Sequence, residues 1–307
     1  MEQQKSSVTF AEAFRLWLKI GLIGFGGPAG QIALMHRLLV DEKKWISESR
    51  FLHALNYCML LPGPEAQQLA TYMGWLLHRT AGGLAAGILF VLPGAIVMWT
   101  LSVLYATLHE LPFVQALFFG IKAAVLAVVV EALLRISKRA LKNKAMYGLA
   151  GLAFVAIFFL DLPFPLIIAG AALIGLVGAR QWPGFFVPAK KQDKGEAEAV
   201  IDAAFLAGHL DHTKPSARRA VKTLIVWSAL WFAPLILFAL FLGVGHVFTQ
   251  EGLFFSKMAV VTFGGAYAVL AYMAQEAVDT HGWLKPGEML DGLGLAETTP
   301  GPLIMVL

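Results

Sequence analysis

The chain has 307 residues, 58% of them hydrophobic and 14% charged, with a mean hydropathy of +0.69. A soluble domain carries about 25% charged residues, so this composition excludes a water-soluble globule and predicts an all-α polytopic membrane protein. The single cysteine, Cys58, excludes a disulfide framework, and GxxxxGK(S/T), HExxH and GxSxG motifs do not occur; the net charge of +4 gathers in loops, as topology selection requires, and not in a nucleic-acid surface.

In chain order, Met1–Thr9 is short and polar, unlike a cleavable signal. Phe10–Gly24 and Pro28–Val40 are apolar segments interrupted at Gly26 and Gly27, which predicts a hairpin in place of one long crossing. Arg37–Arg50 carries four basic residues and reads as cytoplasmic. Phe51–Leu61 and Ala66–His78 are too short to cross a ~30 Å hydrocarbon layer. Separated by Pro62, Gly63 and Pro64, they predict a re-entrant hairpin entering from the cytoplasm. Leu84–Tyr105 then runs outward, Phe113–Leu134 inward, Ala145–Leu160 outward and Leu166–Ala179 inward. The loop Arg135–Lys144, with five basic residues and no acid, fixes the cytoplasmic side. The polar stretch Arg180–Lys222 reads as a cytoplasmic linker, and Thr223–Gly245 as a further crossing.

The start of the chain recurs near its end. Phe25, Gly26 and Gly27 return as Phe263, Gly264 and Gly265, Trp45 as Trp283, and Pro62, Gly63 and Pro64 as Pro300, Gly301 and Pro302, all at an offset of 238. In that register, residues 25–64 and 263–302 agree at 13 of 40 positions. Three motifs in one register indicate a tandem duplication. The first copy's basic loop corresponds to Glu276–Asp291, with one lysine against four acids, so the second copy is expected to be inverted. A parallel repeat is the alternative and conflicts only with that loop's charge. The expected organisation is a first repeat over 1–180, a linker over 181–222, a topology-inverting helix over 223–247 and the opening of a second repeat over 248–307. The second copy ends five residues after its proline–glycine turn, whereas the first continues through four further crossings, so the length predicts a truncated second half.

The broken segments supply the candidate site. Gly26, Gly27 and Pro28, with Pro62, Gly63, Pro64 and their copies Gly264, Gly265, Pro300, Gly301 and Pro302, place helix N-termini inside the membrane. Their N–H groups and positive dipole ends suit an anion, particularly a tetrahedral oxyanion. The same residue types also kink or pack membrane helices, so one motif alone would carry little weight. Gln31, Gln67 and Gln68 follow these breaks by about one turn and either face the ligand or bond between helices. Lys122 lies within Phe113–Leu134, where an ionisable group either serves function or pairs with Glu131 or Glu65. Lys19 and Lys257 occupy equivalent repeat positions and either snorkel or face the anion. Glu65, beside the first turn, is the candidate for proton coupling, or else it satisfies the helix dipole. His36, His53 and His78 show no ligand spacing, and neither a metal nor a cofactor is expected. Trp17, Trp45, Trp75, Trp99 and Trp283 are expected to anchor at the interface or pack.

Phe25 to Pro28 with Gln31, Trp45-Ile46-Ser47, Leu61 to Pro64, Phe90-Val91-Leu92-Pro93-Gly94 and Gly120-Ile121-Lys122-Ala123 resemble the chromate transporter family in its long two-domain form. Thr262 to Gly265 and Thr299 to Pro302 resemble that family's C-terminal domain, although Ala266 and Val269 replace the first copy's proline and glutamine. The resemblance implies a multi-pass protein of the bacterial inner membrane that exports chromate, driven by the proton gradient, and confers chromate resistance. Its implied partners are chromate, protons, the lipid bilayer and, as a further expectation, a second copy in a homodimer. Rival functions are a carrier of sulfate or another oxyanion, an uncoupled anion channel and a non-transporting scaffold. No enzymatic activity is expected.

Overall fold

The computed structural model describes residues 8–108, 111–114, 116, 119–120, 130, 134, 137, 141, 143–160, 162, 164–182, 199–208, 210–262, 272–285, 287–289, 291–292, 295 and 299–302. Every regular element among the described residues is helical. Helix α1 (Phe10–Ile23) is capped by the Thr9 hydroxyl, which accepts from the Glu12 N–H. It buries Ala13, Leu16, Trp17, Ile20 and Gly21, the spacing of one helical face. The chain breaks after Gly24, and α2 (Gly27–His36) starts behind Gly26 at φ 86°, with Pro28 in its first turn. A π-helical turn, Arg37–Glu42, leads to α3 (Glu48–Met59), capped by Ser47. At 14, 10 and 12 residues these helices are about 21, 15 and 18 Å long, short of the ~30 Å layer.

The long helix α4 (Glu65–Leu108) is two limbs, 65–77 and 80–108, broken by non-helical backbone at His78 and by Arg79 at φ 52°. The limbs fold back on one another through small residues. An added Cβ at Gly74 would strike the Gly82 carbonyl, and one at Gly82 the Gly74 carbonyl; Gly83 lies against Thr71 and Trp75. Without a hydrophobic driving force between helices in lipid, such close backbone approach supplies the packing. Gly82→Val is therefore expected to cost at least the 1–3 kcal/mol typical of overpacking. A lowered apparent Tm of the detergent-solubilised protein would show it; an unchanged Tm would refute the limb contact. Gly21 of α1 meets the Leu89 carbonyl and Pro93 of the second limb in the same way.

Helices α5 (Lys144–Phe158) and α6 (Phe164–Gln181) occupy the ranges expected of two crossings. Most of the expected segment Phe113–Leu134, with Lys122 and Glu131, lies outside the described residues. Helix α8 (Ala217–Phe241) starts six residues before the expected crossing, capped by Ser216. Its apolar window has a mean hydropathy of 2.3 and buries nothing, as a lipid-facing helix does. It packs on α9 (Val247–Val261) through Leu235 against Gly252 and a Trp231 Nε1–H to Ser256 Oγ bond of 2.9 Å.

Part of the polar linker is folded onto the first repeat. Helix α7 (Val200–Leu206) hangs from the α2–α3 connection: the Val200 N–H donates to the Lys44 carbonyl and the Ile201 N–H to the Trp45 carbonyl. Ile201, 3% exposed, joins the core, and His212 bonds the Trp75 carbonyl at 3.1 Å. Asp202 accepts from the Ser47 N–H at 2.9 Å and from Arg50 Nε at 2.6 Å. Burial alone would push the Asp202 carboxyl up, but these hydrogen bonds from Arg50 and Ser47 outweigh it and hold the group below its ordinary value. Its contribution is thus complete above the ordinary carboxylate value of about 3.9 and is lost as pH falls through the lower folded value. A nitroxide at exposed position 207 is expected to stay immobilised from about pH 8 to about pH 5. Release within that window would show that Asp202 does not hold the segment.

The duplication is visible in the backbone. The bonds from Lys43 to Leu38, Trp45 to Leu39, Ile46 to Leu39 and Phe51 to Ser47 recur as His281 to Glu276, Trp283 to Ala277, Leu284 to Ala277 and Met289 to Lys285. The π-helical turn recurs at Glu276–Thr280, Lys44 at positive φ corresponds to Gly282, and Gly63 at φ 111° to Gly301 at φ 100°.

Candidate functional site

The interrupted helices meet at one junction. The first proline–glycine turn follows α3 and is held by Gln68, whose Nε2 donates to the Pro62 carbonyl at 2.6 Å. At its centre Gly63 donates its N–H to the Thr262 carbonyl at 2.8 Å, at the end of α9. The second turn makes the equivalent bond in the other sense: the Gly301 N–H donates to the Gly24 carbonyl at 3.3 Å, at the end of α1. Positions 24 and 262, and 63 and 301, are equivalent at the offset of 238. Each turn therefore abuts the broken helix of the other repeat, and reciprocal contacts of this kind mark a two-fold relation.

Gln31 joins the halves from the side. It is 1% exposed, and its Nε2 donates to the Gly24 carbonyl at 3.1 Å and to the Gly301 carbonyl at 2.6 Å. Two carbonyls around one atom fix the orientation of the amide, because Oε1 in that place would face two acceptors. Its Oε1 is buried without a partner among the described residues. The amide thus bridges the two copies through its nitrogen, with its oxygen enclosed and not offered to solvent. The second limb of α4 completes the junction. A Cβ at Gly94 would collide with the Pro300 carbonyl, and one at Gly301 would lie 3.7 Å from the Phe90 carbonyl. Pro93 sits inside the helix at this level and removes one donor from the ladder without breaking it.

Gly27, Gly63, Pro300, Gly301 and Pro302 are buried, Pro28, Pro64 and Gln67 half-buried, and Gly26 and Pro62 exposed. Glu65, 7% exposed, opens the first turn of α4 directly behind the turn. There its carboxyl competes with any other anion for the same helix N-terminus. Lys19 is exposed on α1, away from the face that buries Trp17 and Ile20, and Lys257 is exposed and bonded to the Tyr272 hydroxyl at 3.0 Å. Neither is among the residues holding the junction together. Lys122, Gly264 and Gly265 lie outside the described residues. Gly24, Gly94 and Thr262 also belong to the junction, although no motif assigns them to it. Gly24 and Thr262 were detectable as the residues just before each Phe-Gly-Gly, but nothing local announces their partners.

A family model described as "Chromate transporter" matches residues 11–176 and again 249–307. The chain belongs to the chromate transporter family. The first matched segment of this family holds Gly24, Gln31, Gly63 and Gly94, and the second holds Thr262 and Gly301, so both sides of the junction fall within it. The chromate transport protein of Pseudomonas aeruginosa is 32% identical over 306 residues, covering 97% of this chain and 65% of that relative. The chromate transport protein of Cupriavidus metallidurans is 28% identical over 299 residues, covering 97% and 66%. An uncharacterized transporter of Bacillus subtilis is 31% identical over 148 residues, 47% of this chain and 73% of that relative. The chain thus spans about two thirds of the length of the first two relatives. No solved structure matches it.

Proposed function

We propose that this chain forms the core of a secondary transporter that exports chromate across the bacterial inner membrane by alternating access, coupled to the proton gradient, and thereby confers chromate resistance. The observation that carries this reading is the reciprocal pair of bonds, Gly63 to Thr262 and Gly301 to Gly24. Broken helices of two repeats meeting about a two-fold is the arrangement in which transporters hold an ion near the midplane. The loop charges favour an axis in the membrane plane, with the N-terminus and the 181–222 linker cytoplasmic and the repeats inverted.

The chemistry follows from the groups at the junction. Gly26, Gly27 and Pro28 start α2, and Pro62, Gly63 and Pro64 start α4, so their first-turn N–H groups offer neutral donors to oxyanion oxygens. The Glu65 carboxylate repels an anion at the second of these N-termini, and protonation removes that repulsion. Anion and proton occupancy are then linked through one Coulomb interaction, so Glu65 is the group on which the pH gradient acts. The test is chromate uptake by everted vesicles under an imposed pH gradient. Gly63→Leu is expected to abolish uptake, and Glu65→Gln to leave a residual flux indifferent to the gradient. Uptake that ignores the gradient in the unsubstituted chain would favour a channel, and competition by sulfate at equal concentration would favour a general oxyanion carrier.

A further inference from the structure

On the face carrying Trp45–Ser47, away from the junction, a cavity of about 600 Å³ opens between α3, the first limb of α4 and the folded linker. Ser49, Arg50, His53 and Tyr72 line it from the repeat, and Asp202 and Phe205 from α7. The linker crosses 152 residues of sequence to place one carboxylate on Arg50, the one arginine among the described lining residues, with Oδ1 on Arg50 Nε and Oδ2 on the Ser47 N–H. Phe205 lies under the same guanidinium, 4.6 Å from ring centroid to Cζ. An Arg side chain and a backbone N–H converging on two oxygens is the donor set that recognises an oxyanion. Here the occupant is the chain's own carboxylate.

We propose that this cavity is an entry vestibule for oxyanions and that α7 is its latch: an incoming tetrahedral oxyanion displaces Asp202 from Arg50 and frees the linker segment. The proposal rests on the transport reading for its purpose but not for its test. The latch is built for release. It buries a small apolar set, chiefly Ala199 and Ile201 with Val200 and Leu210 packed beside them, and among the described residues its remaining attachments are two backbone bonds, the Asp202 pair, the Phe205–Arg50 stacking and the His212–Trp75 contact. The Arg50–Asp202 pair is about one quarter exposed on either side, so a solute reaches it without unfolding the repeat. A purely structural ion pair would need neither an adjoining cavity nor an aromatic floor beneath the guanidinium.

The experiment uses the full chain carrying Cys58→Ser and Ile201→Cys, whose new thiol is covered while α7 is docked. Maleimide labelling is followed in detergent with chloride, sulfate or chromate at matched ionic strength. Sulfate and chromate, unlike chloride, are expected to raise the labelling rate about fivefold, and Asp202→Asn to raise it similarly without added oxyanion. Arg50→Lys, which keeps the charge and loses the planar fork, is expected to blunt the oxyanion effect. Equal rates in all three anions would overturn the proposal, as would an oxyanion effect that persists undiminished without the Arg50 guanidinium. Vesicle flux measured on the same variants separates the two readings. A specific labelling response with no chromate flux in the unsubstituted chain would defeat the transport reading and leave the vestibule standing, whereas flux without the labelling response would do the reverse.

Discussion

Gly94→Ala is expected to reduce chromate flux at least about tenfold while leaving the protein inserted, an effect of one methyl group. The added Cβ would fall inside contact distance of the Pro300 carbonyl, a backbone atom of a buried turn that has no side chain to swing away. The turn must therefore shift, and with it go the Gly301 N–H to Gly24 bond and the Gln31 Nε2 to Gly301 bond that join the repeats. Overpacking of this kind costs about 1–3 kcal/mol, and a site displaced by about 1 Å loses a further share of its rate. Gly148→Ala on α5 is the control, because a Cβ there meets nothing within 4 Å and alanine is the better helix former. Flux is measured in everted vesicles and normalised to folded protein by size-exclusion chromatography. A Gly94→Ala flux within twofold of the unsubstituted chain would mean that the second turn does not seat where the structure puts it.

Gln31 is the second test, and its two variants are expected to separate. Gln31→Leu keeps approximate shape, leaves the Gly301 carbonyl without its donor and costs about 1–3 kcal/mol, read as a lower Tm and impaired flux. Gln31→Glu is worse at neutral pH, because a carboxylate then faces the Gly24 and Gly301 carbonyls at the distances where Nε2 now donates. As pH falls the carboxyl gains a proton, and one of the two lost bonds is restored. The Gln31→Glu defect should thus shrink toward acid while the Gln31→Leu defect stays constant. Parallel pH profiles for the two variants would refute the donor role of Nε2.

Much of the fold was legible along the chain for physical reasons. Long uncharged windows forecast α5, α6 and α8, since lipid tolerates no unpaired backbone and few charges. Gly26, Gly27 and the proline–glycine turns marked the helix breaks because a glycine at positive φ leaves the helical region beside a proline that has no N–H for the ladder, whereas Pro93 and Pro234, with no such glycine, stay inside helices. The break at His78 and Arg79 was anticipated as the end of a short segment, though neither residue is a glycine or proline; tight packing of Gly74 on Gly82 turns the chain there. The docking of the linker was not legible, for the opposite reason. Its polar composition describes a solvated tether, yet Ala199, Ile201 and one well-placed Asp202 are enough to dock it.

The candidate site divides along the same line. By itself the sequence determined that this is a membrane protein of broken helices, that its opening is duplicated at an offset of 238 and that family motifs run through both copies. These are properties of composition, of backbone-restricting residues and of recurrence, and each is local. Only the tertiary structure decided that each proline–glycine turn bonds the broken helix of the other copy, that Gln31 spends its donor on that seam, and that Asp202 closes on Arg50. The contacts between the copies and from the linker join main-chain atoms and single side chains 152 to 277 residues apart. A main-chain N–H is the same in every residue but proline, so no pattern along the chain can name its partner; the partner is set by how the two copies pack.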